Sequence, residues 1–239
     1  MAKWQERAEL LFKKEGLENL KNSNVLVVGV GGVGSFAAEF LVRAGVGNLT
    51  IVDGDVVDIT NINRQLPALH STVGMTKIDV VGDRLLDINP ELNLTKVQEF
   101  LSPERAFEIV DEKYDYVLDC IDSVTPKLNL IIGAKRKRVK IISSMGAGGK
   151  MEAAKVKVAD ITNTVNCMFA KTIRRRLKEH KIDKLKVVFS SEIQDESSLK
   201  MTDGSNYKKS FYGTNSYMPG LFGLYMAETV IRYLLKKEL

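Results

Sequence analysis

Cysteine and histidine are scarce in this chain, and long apolar runs are missing. Only two of its 239 residues are cysteine, Cys120 and Cys167, and only two are histidine, His70 and His180. Two cysteines cannot form a disulfide framework or an all-cysteine zinc site. The apolar runs are too short to cross a membrane, and residues 1–7 lack the apolar core of a signal peptide. We therefore expect a cytoplasmic protein that does not insert into a membrane.

The charged residues are ordinary in number but unequal in sign. Lys and Arg total 35 while Asp and Glu total 30, so the formal net charge is +5. Apolar residues make up 44% of the chain, which is typical of a globular protein. The basic excess is compatible with a polyanionic partner such as nucleic acid but is too small to require one.

Short β-branched runs alternate with amphipathic segments through most of the chain. Strands are expected at 25–28, 49–52, 116–121, 140–144, 156–158 and 187–190, and helices at 1–24, 35–44, 75–86, from about Pro126 onwards, 170–180 and 219–237. The polar stretch 195–215 is expected to be a mobile loop. This alternation predicts an α/β fold of the Rossmann-like, doubly wound type with a mainly parallel sheet and an irregular C-terminal extension.

A glycine-rich loop follows the first strand and opens the next helix. Its glycines are Gly29, Gly31, Gly32 and Gly34. Glycine lets the backbone approach a phosphate closely, and the helix N-terminus supplies N–H donors and the positive end of a dipole. Asp53, at the end of the next strand, is placed to accept hydrogen bonds from a ribose diol. This pattern predicts a nucleotide site without distinguishing NAD, FAD, S-adenosylmethionine and ATP.

Charged residues beyond the loop favour a triphosphate. Cations are needed on the β- and γ-phosphates, and a carboxylate is needed to hold Mg²⁺. Arg64 and Lys77 are the candidate cations, and Asp122 ends a later parallel strand at the same edge of the sheet. We therefore predict ATP and Mg²⁺ as the cofactors, with Asp122 as the magnesium ligand, and disfavour an NAD-binding protein or a nucleotide-binding module without catalysis.

Taken together, these residues resemble the nucleotide site of the ThiF/MoeB/HesA superfamily of ubiquitin-activating-enzyme-like proteins, which adenylate carboxylates. Residues 121–127, the turn at 146–149 and residues 188–192 are similar to the tRNA threonylcarbamoyladenosine dehydratase branch. That branch uses ATP to activate the threonyl carboxylate of threonylcarbamoyladenosine in tRNA and closes it to a cyclic form. The resemblance implies this activity, a tRNA substrate and a homodimer, and it leaves room for a sulfur-transfer partner protein.

The resemblance also implies roles for individual residues. The nucleotide-binding set is Gly29, Gly31, Gly32, Gly34, Asp53, Asp55, Asn61, Arg64, Gln65, Lys77, Asp122 and Ser123. The catalytic set is Arg7, Arg64, Lys77 and Asp122, with Arg7 reaching the phosphates across the dimer. The expected organisation is a single adenylation domain over 1–239, with a nucleotide-binding half at 1–155 and a substrate-side and dimerisation half at 156–239.

One alternative within the superfamily is adenylation of the C-terminal glycine of a ubiquitin-like sulfur carrier. The protein-activating branches commonly carry two Cys-x-x-Cys pairs for zinc, and this chain has none. The missing pairs favour the dehydratase branch. For Cys120 buried packing is expected, whereas for Cys167 both packing and a redox or sulfur-relay role are open.

Two basic runs, 135–140 and 171–178, are candidates for contact with RNA. Phosphate contacts would position an RNA without reading its sequence. We predict RNA binding by the second run, which lies in the C-terminal half, through Arg174, Arg175, Arg176 and Lys178. Further contacts are possible from Lys208, Lys209, Tyr207, Phe211, Tyr212 and Tyr217.

Overall fold

The computed structural model describes residues 3–201 and 210–235. Seven strands form one sheet in the order β3-β2-β1-β4-β5-β7-β6. Their bounds are β1 Asn24–Val28, β2 Asn48–Val52, β3 Asn93–Val97, β4 Tyr116–Asp119, β5 Ile141–Ser144, β6 Val156–Asp160 and β7 Lys186–Ser190. All neighbouring pairs are parallel except β6 and β7, which are antiparallel. The predicted fold class is therefore confirmed.

Seven helices accompany the strands in the described residues. They are α1 Glu6–Asn22, α2 Gly34–Ala44, α3 Lys77–Ile88, α4 Pro103–Glu108, α5 Val124–Arg136, α6 Met168–Glu179 and α7 Met218–Leu234. None of the helices in this part of the chain is both long and apolar enough for a transmembrane segment.

The central strands of the sheet are buried on both faces, as their β-branched sequences require. In β1, Val25 and Val27 pack into a cluster with residues of α1, α2, α3 and α7, whereas Leu26 and Val28 pack into a second cluster with residues of α4, α5 and α6. The alternation follows from the period of two along a strand. The result is a three-layer sandwich with helices on both faces.

The order of strands reverses beside β1, because β2 and β4 lie on its two sides. After β1 the chain adds β2 and β3 on one side of it, and it later adds β4 and the remaining strands on the other side. Ligands of open α/β sheets bind at this crevice, at the carboxyl ends of the strands. We call this side of the sheet the carboxyl edge and the opposite side the amino edge.

Three local features differ from the expectations. The edge strand β3 and the short helix α4 were not predicted. The expected loop at 195–215 contains two antiparallel strands, β8 Leu199–Met201 and β9 Ser210–Tyr212. The segment 202–209 between them lies outside the described residues, as do Tyr207, Lys208 and Lys209 and the last residues of the helix expected at 219–237.

The first helix is kinked, which a continuous helix at 1–24 did not anticipate. Lys13 adopts left-handed backbone angles inside α1, with φ 64°. Beyond the kink Leu17 and Leu20 are buried, whereas Leu10 and Leu11 before it are 72% and 67% exposed. The kink turns the two halves of α1 in different directions, so the first half leaves an apolar face uncovered.

The proposed division of the chain at residue 155 stays a prediction. Strands β6 and β7, which follow that residue, hydrogen-bond into the same sheet as the nucleotide-binding half. Helix α7 packs against α2, which begins at the glycine loop.

Candidate active site

The glycine loop connects β1 to α2 at the carboxyl edge. Gly29 has φ 87°, which favours glycine, and its N–H donates to the Val52 carbonyl oxygen at 2.8 Å. A Cβ on Gly34 would overlap the Gly29 carbonyl oxygen. A Cβ on Gly32 would lie 3.1 Å from Cβ of Pro219 in the first turn of α7. The loop therefore requires glycine at positions 29 and 34, while Gly32 packs closely against the C-terminal helix, which closes one side of the loop.

Asp53 is anchored directly beneath this loop. Its carboxylate accepts N–H hydrogen bonds from Val30 and Asp55, both at 2.8 Å. Burial raises the pKa of Asp53, while the nearby Lys77 ammonium and the two N–H donors act in the opposite direction. Each carboxylate oxygen retains acceptor capacity beyond its backbone donor. The side chain is therefore held in place to accept from a hydroxyl-bearing ligand.

Lys77 is almost completely buried at the start of α3. Its Nζ lies 2.8 Å from Asp55 Oδ2, and its own N–H donates to the Asp55 carbonyl oxygen at 3.0 Å. The Lys77 side chain is 6% exposed, whereas that of Asp55 is 47% exposed. Thr76 caps the helix by accepting the Asp79 N–H. These contacts hold one ammonium group next to Asp53 in a fixed orientation.

Arg64 follows the short 3-10 turn at Ile59–Asn61. Its Nη1 donates to the Thr60 carbonyl oxygen and to Asn63 Oδ1, both at 2.9 Å. Burial lowers the pKa of Arg64, and the negative charge of Asp122 opposes that effect. The structure thus brings Arg64 and Asp122 into electrostatic contact, although they lie far apart in the sequence.

Asn61 and Gln65 shape the same segment. Asn61 Oδ1 accepts the Asp58 N–H at 3.3 Å in a capping box, and the Asn61 carbonyl oxygen accepts the Gln65 N–H at 2.9 Å. Among the described residues, Gln65 Oε1 is a buried side-chain atom for which no hydrogen-bond partner is found. A Cβ on Gly31 would lie 3.6 Å from this Gln65 amide.

A buried acceptor without a donor destabilises a fold by roughly 1–3 kcal/mol. Such an atom beside a glycine loop indicates a site that a polar ligand or an ordered water completes. For Gln65 Oε1 the missing partner is a donor, such as a ribose hydroxyl or an ordered water, because an ionised phosphate only accepts. The glycine loop, Lys77 and Arg64 offer the donors and cations that fit the phosphates of a nucleotide, and Asp53 offers an acceptor that fits its ribose.

Asp122 and Ser123 lie where β4 passes into α5. Asp122 is exposed, and Ser123 is buried at the N-cap position of α5 without a side-chain capping bond. Asp122 is therefore not the helix cap. No cluster of three or more His, Cys, Asp or Glu side chains able to hold a metal occurs among residues 3–201 and 210–235. A magnesium ion here would need oxygen ligands from a nucleotide and from water in addition to Asp122.

A fully buried ion pair beneath this corner was not anticipated from the sequence. Lys127 Nζ lies 2.7 Å from Asp119 Oδ2, and it also donates to Ser143 Oγ and to the Ser144 carbonyl oxygen. Ser143 Oγ donates to the same Asp119 oxygen at 2.6 Å. The network ties the first turn of α5 to the ends of β4 and β5. The available signal was a lysine in the first turn of a helix whose middle is mostly apolar, eight residues after an aspartate in an apolar strand.

Arg7 does not join the glycine loop of its own chain. The Gln5 side chain approaches Gly45, at 2.7 Å from the place of a Cβ, and Gly45 caps the C-terminal end of α2. The glycine loop lies at the other end of this 11-residue helix, a distance of about 16 Å at 1.5 Å per residue. Arg7 is exposed near the far end of α2.

The four basic residues predicted to bind RNA do not all face solvent on α6. Arg174 Nη1 donates to the carbonyl oxygens of Ile161 and Thr164, both at 3.1 Å, and to Thr164 Oγ1 at 2.8 Å. Arg175 and Lys178 are exposed, and Arg176 is half-buried. The structure therefore shows Arg174 holding the segment before α6, while Arg175 and Lys178 face solvent.

The two cysteines lie in different settings. Cys120 Sγ lies 3.8 Å from Met226 Sδ, and burial raises the pKa of the Cys120 thiol. Cys167 is buried at the N-cap position of α6, where Sγ accepts the Ala170 N–H at 3.5 Å. These contacts give both cysteines a packing or capping function.

Comparison with known proteins identifies the family. Residues 5–239 match the model of the ThiF family. The tRNA threonylcarbamoyladenosine dehydratase of Bacillus subtilis is 42% identical over 238 residues, which cover 96% of this chain and 94% of that protein. The molybdopterin-synthase adenylyltransferase of Escherichia coli is 40% identical over only 141 residues, or 59% of this chain and 55% of that protein.

Solved structures agree over nearly the whole chain. The E. coli tRNA N6-threonylcarbamoyladenosine dehydratase in complex with AMP has a TM-score of 0.88 at 32% identity and covers 99% of this chain and 97% of that one. The same enzyme in complex with ATP has a TM-score of 0.86 at 31% identity with the same coverage. The chain belongs to the ThiF family. Within that family it belongs with the tRNA threonylcarbamoyladenosine dehydratases, because these relatives match it from end to end.

Proposed function

We propose that this enzyme uses ATP to adenylate the threonyl carboxylate of threonylcarbamoyladenosine in tRNA and then closes the activated group into a ring. One carboxylate oxygen attacks the α-phosphorus, and the bond between the α-phosphorus and the bridging oxygen breaks to release pyrophosphate. The carbamoyl group of the same nucleoside then attacks the acyl carbon, and AMP leaves. The nucleoside loses one water overall.

The observation that carries this proposal is the set of prepositioned charges around the glycine loop. Lys77 is held by Asp55 at 2.8 Å, and Arg64 lies in electrostatic contact with Asp122. Attack of a carboxylate on a phosphate brings negative groups together, so it needs positioning and charge neutralisation more than acid–base chemistry. Cations that are already oriented provide both without reorganisation.

A magnesium ion bound with the nucleotide would neutralise further phosphate charge. Asp122 is the residue that would hold it, since an exposed carboxylate at this edge suits a hard cation. Asp53 would hold the ribose. The other predicted nucleotide residues are the glycines of the loop, Asn61 and Gln65 in the segment after β2, Asp55 on Lys77, and Ser123 at the start of α5.

The second step requires no nucleophile from the enzyme. Cys120 is the cysteine beside the glycine loop, and burial raises its pKa, so it stays a neutral thiol. A Cβ on Gly29 would lie 3.1 Å from the Cys120 carbonyl oxygen, so the backbone of this residue supports the loop. A reaction in which the substrate supplies its own nucleophile agrees with this setting.

A homodimer is part of the proposal, because Arg7 lies at the far end of α2 from its own glycine loop. Leu10 and Leu11, one turn further along α1, present an exposed apolar face beside Arg7. Pairing of two copies through this half of α1 would cover that face and bring Arg7 towards the partner's phosphates. A cytoplasmic location is expected for an enzyme that modifies tRNA, and docking of a sulfur-transfer protein remains a prediction that this reaction does not need.

The test is incubation with ATP, Mg²⁺ and tRNA that carries threonylcarbamoyladenosine, followed by mass spectrometry of the nucleosides. Loss of one water from that nucleoside, with release of AMP and pyrophosphate, is expected. Reactions without ATP, or with tRNA that lacks the modification, are the controls. An unchanged nucleoside combined with pyrophosphate exchange that depends on a ubiquitin-like carrier protein would instead support the alternative activity.

A further inference from the structure

A shallow groove lies between the last turn of α5 and the segment that follows α6. Its volume is about 500 Å³, and its polar lining consists of Lys135, Arg136, His180, Lys181, Asp183 and Lys184. We call these six residues the basic groove. Lys135 and Arg136 belong to the first basic run, and the other four residues follow the second run, although strands β5 and β6 separate the two runs.

The basic groove lies at the amino edge of the sheet, opposite the nucleotide site. Helix α5 begins at Ser123 beside Asp122 and ends at Arg136. Its 13 residues span about 20 Å at 1.5 Å per residue. Helix α6 also begins at the carboxyl edge, where Lys150 Nζ bridges the carbonyl oxygens of Asn166 and Ser190. Both helices therefore lead from the catalytic edge to the groove.

Positive charge predominates in the groove. Four cationic side chains, Lys135, Arg136, Lys181 and Lys184, line it with one carboxylate, Asp183. Burial lowers the pKa of Lys135, opposed by Asp160 and reinforced by the neighbouring charge of Lys140. Cations in the last turn of a helix stabilise its negative end. That effect explains why cations occur at positions 135 and 136, in the last turn of α5. It does not explain Lys181 and Lys184, which lie beyond α6.

The backbone gives a second, independent observation. Lys181 has φ 59° and follows the C-cap of α6, and the Ile182 N–H donates to the Leu177 carbonyl oxygen. This is the position where glycine is strongly favoured, because a side chain is strained there. Arg138 occupies the equivalent strained place after α5, with φ 57°. A lysine at such a position brings a charge into the groove at the expense of local stability.

We propose that the basic groove binds phosphates of the tRNA substrate, away from the nucleoside that reacts. This inference rests on the proposed function, and it adds the surface of the protein along which the RNA lies. An RNA helix that continues from the modified loop can pass along α5 and α6 from the carboxyl edge to the amino edge. Arg175 and Lys178 are exposed and add positive charge to α6, the helix that leads to the groove. An open groove with cations on two segments suits an extended phosphate backbone better than one small anion.

Lys181→Gly is a sharp test, because it removes the charge and also the backbone strain. The thermal midpoint should stay the same or rise, so weaker binding could not be attributed to unfolding. Titration of the holoenzyme dimer with the modified tRNA at several salt concentrations should give about threefold to fivefold weaker binding, the range of a surface ion pair. The slope of log affinity against log salt should fall by about one. KM for tRNA should rise while kcat is unchanged.

Arg138→Gly is the matched control, since it removes the same charge from the same backbone conformation outside the groove lining. Its tRNA affinity should remain near that of the wild type. The double change Lys181→Gly with Lys184→Gln should lower the salt slope by about two. Equal losses in the Lys181 and Arg138 variants, or an unchanged affinity in the double variant, would overturn the proposal.

The same assay separates this inference from the proposed function. If wild-type enzyme dehydrates the nucleoside but the groove variants keep the wild-type affinity, the groove assignment is wrong and the activity stands. If wild-type enzyme leaves the nucleoside unchanged, the activity is wrong. In that case a loss of tRNA binding confined to the groove variants would still identify the groove as an RNA site.

Discussion

The two edges of the central sheet carry positive charge in different ways. At the carboxyl edge the cations are oriented by specific partners, as with Lys77 on Asp55 and Arg64 on the Thr60 carbonyl oxygen. At the amino edge the cations of the basic groove outnumber its single carboxylate, Asp183. Fixed cations suit a small ligand of fixed geometry, such as a triphosphate. A looser cluster suits a long polyanion whose phosphates can be contacted in several registers.

The largest effect is expected for Gly34→Ala at the carboxyl edge. The new Cβ would overlap the Gly29 carbonyl oxygen and lie 3.1 Å from Cys120 Cβ, so the glycine loop must move. We expect the loss of ATP–pyrophosphate exchange and a drop in the free energy of unfolding of about 3 kcal/mol, as for an overpacked core. Urea unfolding and an exchange assay would measure both.

Gly146→Ala is the control for that change. Its Cβ would come no closer than 3.7 Å to Phe169 Cβ, an ordinary contact. Its stability should remain within about 0.5 kcal/mol of the wild type. A stable, active Gly34→Ala enzyme would contradict the tight path of the loop.

The next largest effect should separate activity from stability. Lys77→Ala removes the cation proposed for the phosphates and takes a positive charge away from half-exposed Asp55 and from buried Asp53. Asp53 keeps its N–H donors from Val30 and Asp55, so the fold should survive. We expect ATP–pyrophosphate exchange to fall by about 100-fold or more, the usual effect of removing one preorganised electrostatic group. Lys96→Ala, which removes an ion pair with Asp79 on the surface of α3, should leave exchange near the wild-type rate. Undiminished exchange in Lys77→Ala would remove Lys77 from the site.

A third pair of variants tests which residues of the predicted RNA-binding run stabilise the fold and which bind RNA. Arg174→Gln breaks three hydrogen bonds to Ile161 and Thr164 and should lower the free energy of unfolding by about 1–3 kcal/mol, as when buried acceptors lose a charged donor. Arg175→Gln should change stability by less than about 0.5 kcal/mol, because this side chain is exposed. For tRNA affinity the order should reverse, so that Arg175→Gln weakens binding more than Arg174→Gln. A larger loss of tRNA binding in Arg174→Gln at equal stability would show that Arg174 contacts RNA.

The smallest effect is a change in pH dependence at Asp53. Folding raises the pKa of Asp53 above its ordinary 3.8 because the carboxylate is buried. The native state then binds the proton more tightly than the unfolded state, so this contribution to stability is complete below pH 3.8 and is lost as the pH rises through the folded pKa. In the Asp53→Asn variant, the free energy of unfolding should not show this loss with rising pH. Unfolding free energies measured between about pH 3.5 and 7 for both proteins would test it, and parallel curves would contradict it.

Much of the fold could be predicted because its signals are local. The buried strand β1, the glycines after it and the helix α2 occur in order within a short stretch. Strand β3 was missed since it lies at the edge of the sheet, where three of its five residues are polar and exposed and no apolar alternation marks it. The buried pair of Asp119 and Lys127 was missed for a different reason. Each residue is ordinary alone, and only the packing of α5 on β4 and β5 makes them one network.

What the sequence determined by itself was the class of protein and the residues that we propose for the nucleotide site. A strand, a glycine loop, a helix and an acid specify that corner through local backbone geometry, and the cations follow at short spacing. The tertiary structure alone decided how distant segments meet. It turned Arg174 inward, placed Arg7 far from its own glycine loop, and joined the ends of α5 and α6 in the basic groove. Those outcomes depend on helix packing across the sheet, which no local pattern in the sequence encodes.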